Sequence, residues 1–535
     1  MTLAPAAVAD RSAPLRGSEL GGVRWRRWAV LLAAPALLIG ILGYPDIHAR
    51  TMPLAVAVLL LAAAGAGLVL SGRPHLVILL PLISAFLPSP QAGFAAYLIA
   101  LALVIVVYGP RRMIRQPDAV DWLLLAVVGW AGMSWLVNLG IETDPWSLPL
   151  FALTFLAPWL IIFVARAAPW SRIDREGLFG CWLALAVAQL AVVYVKPLVL
   201  GLYGAYGVPL ALVQFGNANL LRDLAFGSAV DVTFGTMQSA HHLGIALLLL
   251  LASYVALRLA SGRRMLTLLS VTIGFAFLMT DSKHVILAAI PGALVYVARV
   301  VWPHLSRSAR RALVAGAVAF ALLLGWRAGV VVGRVIVRNL WEPYVTLATF
   351  NPKVQLIVRT AERLGRNDLN TWIGLGPGAF ASRAATIRAT DVLYKETAQL
   401  PAFIPAHTGD SYRAAAYDLY TSEVAATATF RSGALTNPFS SLVGILAEFG
   451  LAGSVLVILL FVAVVRASLA RWRDERAPPA DRAAGAAAAF GVLLLIGLSL
   501  FDSYLEQPSV MAPIMTVALI ALAEPRRRRG ETLPS

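Results

Sequence analysis

Cysteine is nearly absent from this chain, because Cys181 is the only one in the sequence. A framework of intramolecular disulfides is therefore excluded, and the fold must be held together by packing. Charged residues are also scarce. Asp, Glu, Lys and Arg make up 13% of the chain and apolar residues 59%, whereas soluble domains carry roughly 25% charged residues. These proportions exclude an ordinary soluble protein and predict a polytopic membrane protein.

Signatures of cofactor chemistry are missing as well. The sequence contains no P-loop, no Asp-x-Asp pattern of a metal–sugar site and no Gly-x-Ser-x-Gly turn, which argues against coupling to ATP. No set of His, Cys, Asp and Glu has the spacing of metal ligands. We therefore expect no metal and no cofactor. The net charge of +16 indicates membrane orientation rather than nucleic-acid binding, because excess Lys and Arg in membrane proteins mostly encode topology.

Apolar runs long enough to cross a bilayer, about 17–25 residues, recur along the chain. They predict an all-α polytopic membrane protein with about 14 transmembrane helices, or 12 at the lower limit. The third run is short, so it is either re-entrant or interfacial, or a minimal span. The predicted spans are 27–45, 52–71, 75–89, 92–109, 121–139, 148–167, 177–196, 239–258, 265–281, 284–302, 311–331, 441–466, 484–502 and 508–523.

The distribution of positive charge predicts the orientation of these spans. If the N-terminus is cytoplasmic, 28 Lys and Arg residues fall in the inner connections and tails, and four fall in the short outer connections. Both termini are then expected in the cytoplasm. The predicted parts are a cytoplasmic tail 1–26, a bundle 27–331 of about eleven spans with an outer segment 197–238, an extracytoplasmic loop domain 332–440, three closing helices 441–523, and a basic cytoplasmic tail 524–535.

The stretch 332–440 is a long polar segment between apolar spans. Its aromatic residues make it too apolar for a linker, so we expect a small, mainly helical domain over the bundle. Lys353 to Arg366 has the pattern of an amphipathic helix. The run Gly374 to Gly378 predicts a tight turn, because glycine permits positive φ and close backbone approach. Gly376 and Gly378 are therefore candidate substrate-binding residues, with plain turn residues as the alternative.

The short run Asp281-Ser282-Lys283-His284 joins two predicted spans with almost no loop. Ionisable residues near lipid are costly and usually functional. Lys283 would be a cation held at the outer mouth of the bundle, where a phosphate or diphosphate at head-group height could bind. A surface ion pair between Asp281 and Lys283, which contributes little, is the alternative.

Other ionisable residues gather at the same predicted end of the helices. His241 and His242 begin the eighth predicted span, where a helix N-terminus disfavours the imidazolium and favours a neutral base or hydrogen-bond partner. Adjacent helical residues point about 100° apart, so only one ring is expected to face the interior. Glu448 lies about two turns into the twelfth span, and it is a candidate substrate-binding residue together with His241 and His242, with interfacial snorkelling as the alternative. We interpret Glu506 as an interfacial residue that snorkels to the surface.

Together these features resemble the O-antigen ligase/polymerase superfamily of bacterial envelope membrane proteins. A large outer loop precedes three closing spans, and within it a basic helix with Arg359 is followed by a Gly-x-Gly-x-Gly-Phe-like turn that ends at Phe380. The loop exit, Leu442 to Gly453, is similar to a Leu…Glu-x-Gly-x-x-Gly run of the family. Ser282-Lys283 stands where the family has Ser-Arg.

The resemblance implies a C-type membrane glycosyltransferase in the bacterial cytoplasmic membrane. It would use no metal and would take a glycan from a polyprenyl diphosphate carrier in the outer leaflet. Lys283 and Arg359 would bind the diphosphate leaving group. His407 is a further candidate catalytic residue of the loop, although it does not stand at the position of the family's histidine. Arg222 and Arg431 are candidate substrate-binding residues, with a solvated surface as the alternative for Arg431. The implied partners are the lipid-linked donor, a glycan or lipid acceptor, membrane lipids and other envelope assembly proteins, with no nucleic acid.

Two departures from the family bear on the reaction. Phe439 and Ser440 stand where its ligases have histidine and asparagine, and Lys283 replaces an arginine. These departures favour glycan polymerisation, with ligation to a lipid as the alternative. A transporter or flippase would need charges near the bilayer midplane and two related halves, and neither is visible in the sequence. A non-catalytic assembly protein is a further alternative.

Overall fold

The computed structural model describes residues 74–86, 90–114, 116–203, 239–262, 266–278, 282–311, 351–389, 404–420 and 438–523, together with 63, 237, 280, 314 and 315. These residues are mostly helical and contain no strand. The helices are α1 (Leu79–Ser84), α2 (Pro90–Ile114), α3 (Ala119–Val137), α4 (Ser147–Ala165, with a π-helical turn at Ala152–Leu156), α5 (Arg172–Tyr203), α6 (Ala240–Ser261), α7 (Leu266–Leu278), α8 (Lys283–Tyr296), α9 (Pro352–Leu364), α10 (Asp368–Ile373), α11 (Arg383–Arg388), α12 (Asp410–Ala415), α13 (Ser441–Arg473), α14 (Pro479–Leu498) and α15 (Pro508–Leu522).

Eight described helices are long and apolar enough to cross a membrane. They lie in α2 to α6, in α8 with its continuation to His304, and in α13 and α14. Each of them either begins and ends within a few residues of a predicted span or extends beyond that span. The helices α7 and α15 are apolar but shorter. The third predicted run forms a 3₁₀ turn at Pro74–Ile78 and the six-residue helix α1. The predicted spans 27–45, 52–71 and 311–331 and both tails fall outside the described residues, except for residues 63, 311, 314 and 315.

Helices α14 and α15 form the centre of the bundle. Every residue of α15 is buried, as expected for a helix that is apolar on all sides and packed among others. In α14 the run Ala483–Ala489 is buried throughout, because its small side chains let neighbouring helices approach closely. A Cβ on Gly497 would lie 2.2 Å from the carbonyl oxygen of Ala288. The glycine therefore lets α14 and α8 touch through their backbones.

The bundle has two distinct ends. We call the end that carries residues 351–389 and 404–420 the outer end, and the opposite end the inner end. The inner end holds Arg166, which donates to Asp118, to Asp121 and to the carbonyl of Leu522. Charged side chains at the start of α3 and the end of α4 thus meet the main chain at the end of α15.

The described residues of the outer domain, 351–389 and 404–420, are mainly short helices and turns. Its core contains Leu356, Phe380, Tyr412, Tyr420 and Phe439, all buried. The predicted helix Lys353–Arg366 is present as α9. The helix α13 has 33 residues and is kinked at Gly450, and the part after the kink, 451–473, is roughly 35 Å long, enough to cross a 30 Å hydrocarbon core. The first two turns of α13 pack in the outer domain, so this domain extends past the predicted boundary at residue 440.

Candidate functional site

The junction between α13 and the glycine-rich turn fixes the outer domain on the bundle. The helix α13 breaks at Gly450, whose φ of 64° and ψ of −169° are accessible essentially only to glycine. The break releases carbonyls that would otherwise accept within the helix. The amides of Leu375 and Gly376 donate to the carbonyls of Ala447 and Glu448 at 2.8 and 3.0 Å. Backbone from two distant segments is therefore joined directly.

The carboxylate of Glu448 completes this junction. It accepts from the amides of Gly378, Phe380 and Ser382 at 2.6, 3.0 and 2.9 Å, and the residue is fully buried. Gly376 and Gly378 have positive φ, as predicted for the turn. A Cβ on Gly378 would lie 2.8 Å from the carbonyl oxygen of Ser147. These contacts give Glu448, Gly376 and Gly378 a positioning role, because their polar atoms are engaged with each other rather than exposed to a substrate.

The N-termini of α6 and α8 converge beside this junction. The side chain of Ser239 accepts from the amide of His242 and caps α6. Ser282 precedes α8, and a Cβ on Gly244 would lie 3.0 Å from its hydroxyl oxygen. The two helix starts are therefore in van der Waals proximity, and their partial positive charges add in one place.

Three histidine side chains, His241, His242 and His284, lie at these helix starts and form what we call the histidine cluster. The rings of His241 and His284 meet edge to face with centroids 4.1 Å apart. His242 Nδ1 lies 2.9 Å from the hydroxyl of Ser509, and His284 Nε2 lies 2.7 Å from the hydroxyl of Tyr504. His242 and His284 are buried, whereas His241 is only partly so.

The two adjacent histidines diverge, as the helix geometry predicted. His242 turns toward Ser509 at the start of α15, and His241 turns toward α8, where its Nδ1 lies 3.3 Å from the hydroxyl of Ser282. The partly exposed ring of His241 is therefore the member of the cluster that a bound molecule could reach. Lys283 is the first residue of α8, and its side chain falls outside the description.

Lys353 and Glu506 are two more ionisable residues at the same end. We call the site formed by the histidine cluster, Lys353, Glu506 and the first turn of α8 the outer mouth. The ammonium of Lys353 donates to the carbonyls of Phe439, Leu500 and Phe501 at 2.7, 3.3 and 2.6 Å. Burial lowers its pKa to about 7, although Asp502 acts in the opposite direction. Because Lys353 opens α9, these bonds tie the outer domain to the end of α14.

Glu506 lies in the 3₁₀ turn Tyr504–Glu506 between α14 and α15. It is buried rather than exposed, so the interpretation of Glu506 as a snorkelling surface residue is wrong. Its carboxylate accepts from the amide of Arg383 at 2.6 Å. Burial and the neighbouring carboxylate of Glu448 raise its pKa to about 8. The turn before α15 folds inward because its flanking helices pack on the bundle core.

Arg359 and His407 lie in a different part of the outer domain. Arg359 donates to Asp418 at 2.6 Å and to the carbonyl of Ala415 at 3.2 Å. His407 Nε2 lies 3.1 Å from the carbonyl oxygen of Glu142, in the connection between α3 and α4. Both predicted catalytic residues are thus engaged in contacts that hold the outer domain. Arg222 and Arg431, and the segment 204–236, fall outside the described residues.

A second polar network holds the outer domain to the connection between α3 and α4. Arg388 is buried and pairs with Asp144. Burial tends to raise the pKa of Asp144, but hydrogen bonds from Arg388 and Ser147 outweigh it and hold that pKa at about 2. The carboxylate of Glu142 accepts from the amide and the hydroxyl of Ser411. This network is a structural anchor made of complementary charges.

Sequence reasoning missed Lys353, Tyr504 and Ser509 as members of the outer mouth. The run Asp502 to Ser509 is a polar interruption between two apolar helices, and that interruption was an available signal. Lys353 gave no such signal, because its three carbonyl partners come from positions 86 to 148 residues away. Within the described ranges, no group of three or more His, Cys, Asp and Glu side chains could hold a metal ion.

The sequence was compared with protein-family models and with curated proteins. No protein-family model matches the chain, and no curated protein is significantly similar to it. The function must therefore be inferred from the residues of this molecule.

Proposed function

We propose that this protein is a membrane glycosyltransferase that polymerises glycan units carried on polyprenyl diphosphate. The observation that carries the proposal is the outer mouth, where the starts of α6 and α8 meet the histidine cluster beneath an anchored outer domain. Two converging helix N-termini favour an anionic group. Lys283 is the first residue of α8, so the sequence places a residue with a full positive charge at this helix start.

The reaction would need little besides positioning and electrostatic stabilisation. An acceptor hydroxyl attacks the anomeric carbon of the donor sugar, the bond from that carbon to the diphosphate oxygen breaks, and the diphosphate leaves with the electron pair. Lys283 and the helix starts stabilise the departing charge. The hydroxyl proton passes to a base, and His241 is the partly exposed histidine of the cluster that could accept it. Arg359 then acts through the outer domain, which it helps to hold.

The arrangement of buried charge favours this proposal over a transporter. In the described parts of the chain, buried ionisable side chains lie at the inner or the outer end of the bundle, whereas transporters bind their substrates near the midplane. Ligation to a lipid acceptor would use the same donor chemistry. Phe439 and Ser440, which lie where ligases resembling this chain have histidine and asparagine, make polymerisation the first choice.

The setting we propose is the bacterial cytoplasmic membrane, with both termini inside and the outer domain outside. The 28-to-4 division of Lys and Arg between the two sets of connections supports this orientation. A lipid-linked donor would then reach the outer mouth from the outer leaflet. Its partners would be a glycan acceptor and other proteins of envelope polysaccharide assembly.

The glycan profile of cells that lack this protein tests the proposal. We expect carrier-linked single repeat units to accumulate and long polymer to disappear, and a copy of the wild-type gene should restore the polymer. Accumulation of full-length polymer on the carrier would assign the protein as a ligase instead. An unchanged profile of both carrier-linked and mature glycan would contradict any role in glycan transfer.

A further inference from the structure

The short helix α10 carries two large apolar side chains on its exposed side. Leu369 is 49% exposed and Trp372 is 59% exposed. They are three residues apart in a helix, so they share one face. Exposed apolar groups of this size are unfavourable in water, and covering them is favourable.

The last turn of α3 fixes the height of this face relative to the bundle. The hydroxyl of Ser134 donates to the carbonyl of Ile373 at 2.9 Å, and the side-chain amide of Asn138 donates to the carbonyl of Gly374 at 3.1 Å. Helix α3 ends at Val137, and Leu136 beside it is 62% exposed. The end of α10 therefore lies level with the end of an apolar, outward-facing span.

Helix α13 gives an independent measure of the same height. A Cβ on Gly450 would lie 2.6 Å from the carbonyl carbon and oxygen of Trp372, so the two backbones touch. Leu451 and Val455, directly after this point, are exposed apolar residues of the span. Two neighbouring membrane-spanning helices thus place Trp372 where the apolar surface of the bundle begins.

We propose that Leu369 and Trp372 form an interfacial lipid anchor that inserts into the boundary between phospholipid head groups and acyl chains. The occupant is lipid because the face is continuous with the lipid-facing surfaces of α3 and α13. Tryptophan favours this zone, since its ring is apolar and its indole N–H remains hydrated. The anchor holds the outer domain at the level of the bilayer surface, and it does not depend on the glycan reaction.

Site-directed spin labelling tests this anchor in the full-length protein. The sequence contains one cysteine, Cys181, which is buried, so C181A provides a cysteine-free background. Single cysteines are introduced as L369C, W372C, L136C and E362C, where Leu136 marks lipid and Glu362 is an exposed charged position on α9. Each labelled protein is reconstituted in phosphatidylcholine–phosphatidylglycerol vesicles. Collisions with oxygen and with a water-soluble nickel chelate are then measured.

Labels at positions 369 and 372 should collide more with oxygen than with the nickel chelate, like the label at 136, and the label at 362 should show the reverse. Preferential access of the chelate to 369 and 372 would overturn the proposal. Access of neither reagent would also overturn it, because a protein partner or a second copy would then cover the face. Quenching by bromine-labelled lipid gives a check without cysteine variants. The tryptophan emission lost in W372F should be strongly quenched in wild-type protein, and an unquenched difference would contradict lipid contact.

Discussion

The inner end and the outer mouth bury charge in different ways. At the inner end, Arg175 pairs with Asp481 at 3.0 Å, and Arg471 also donates to Asp481. At the outer mouth, Lys353 is held by three main-chain carbonyls and Glu506 by a main-chain amide. Opposite charges cancel each other's field at the inner end. Main-chain partners leave a group able to change its charge, so the outer mouth is the end suited to chemistry.

The largest effect on stability should come from breaking the inner pairs. D481A leaves the guanidinium of Arg175 buried without its carboxylate, and such losses cost about 3–5 kcal/mol. E176A is the matched control, because Glu176 pairs with Arg172, whose side chain is 64% exposed, and exposed pairs contribute less than about 1 kcal/mol. Unfolding of the purified protein in detergent measures both. Equal loss in the two variants would remove the distinction between buried and surface pairs.

A smaller loss is expected at the junction of the outer domain. G450A forces a side chain into a backbone conformation with φ of 64°, at a cost of about 1–3 kcal/mol. The added Cβ also meets the backbone of Trp372 and Gly374. We expect faster proteolysis within 351–420, whereas G129A, which meets nothing within 4 Å, should leave the rate unchanged. Identical digestion of both variants would show that the break in α13 does not hold the domain.

Glu506 should make the stability of the folded protein depend on pH. Its pKa of about 8 in the folded protein lies above the ordinary value of about 4.3, so the folded protein keeps a proton that the unfolded chain releases. This stabilisation is present below the ordinary pKa and is lost as pH rises through 8. E506Q should therefore melt with the wild type at pH 5 and several degrees above it at pH 8.5.

The comparison of E506Q with the wild type must exclude the effect of Lys353. The contribution of Lys353 to stability has the opposite pH dependence, because its lowered pKa of about 7 makes the folded state more stable as pH rises from 7 toward 10. The difference between variant and wild type is therefore the quantity to follow. E362Q, at an exposed position on α9, is the control. A constant separation between the E506Q and wild-type curves at every pH would contradict the assignment.

The sequence predicted the helices well and their contacts poorly. Long apolar runs and the Gly374–Gly378 turn are local signals, and the structure has both nearly where they were expected. The structural role of that turn, however, depends on a distant segment of the chain. Its amides bind Glu448, about 70 residues away, and no pattern in either segment names the other. Glu506 was misinterpreted for a similar reason, because burial of the turn before α15 depends on how three helices pack.

Arginine positions show the same limit. Arg166 and Arg175 counted toward orientation in the sequence, yet both are buried and paired with Asp residues of other helices. Arg359 was expected at the diphosphate and instead pairs with Asp418. A charge pattern predicts the side of the membrane on which a residue lies, because insertion responds to the excess of Lys and Arg in the connections between spans. It does not predict the partner, which is set by tertiary packing.

The most direct measurement compares lipid-linked glycan transfer by wild-type protein, K283A and K283R in cells that lack the chromosomal copy. We expect K283A to reach normal abundance in the membrane but to accumulate carrier-linked single units without polymer. K283R should make polymer, because a guanidinium also binds phosphate. Wild-type polymer length and yield from K283A would contradict the central claim that the start of α8 stabilises a departing diphosphate.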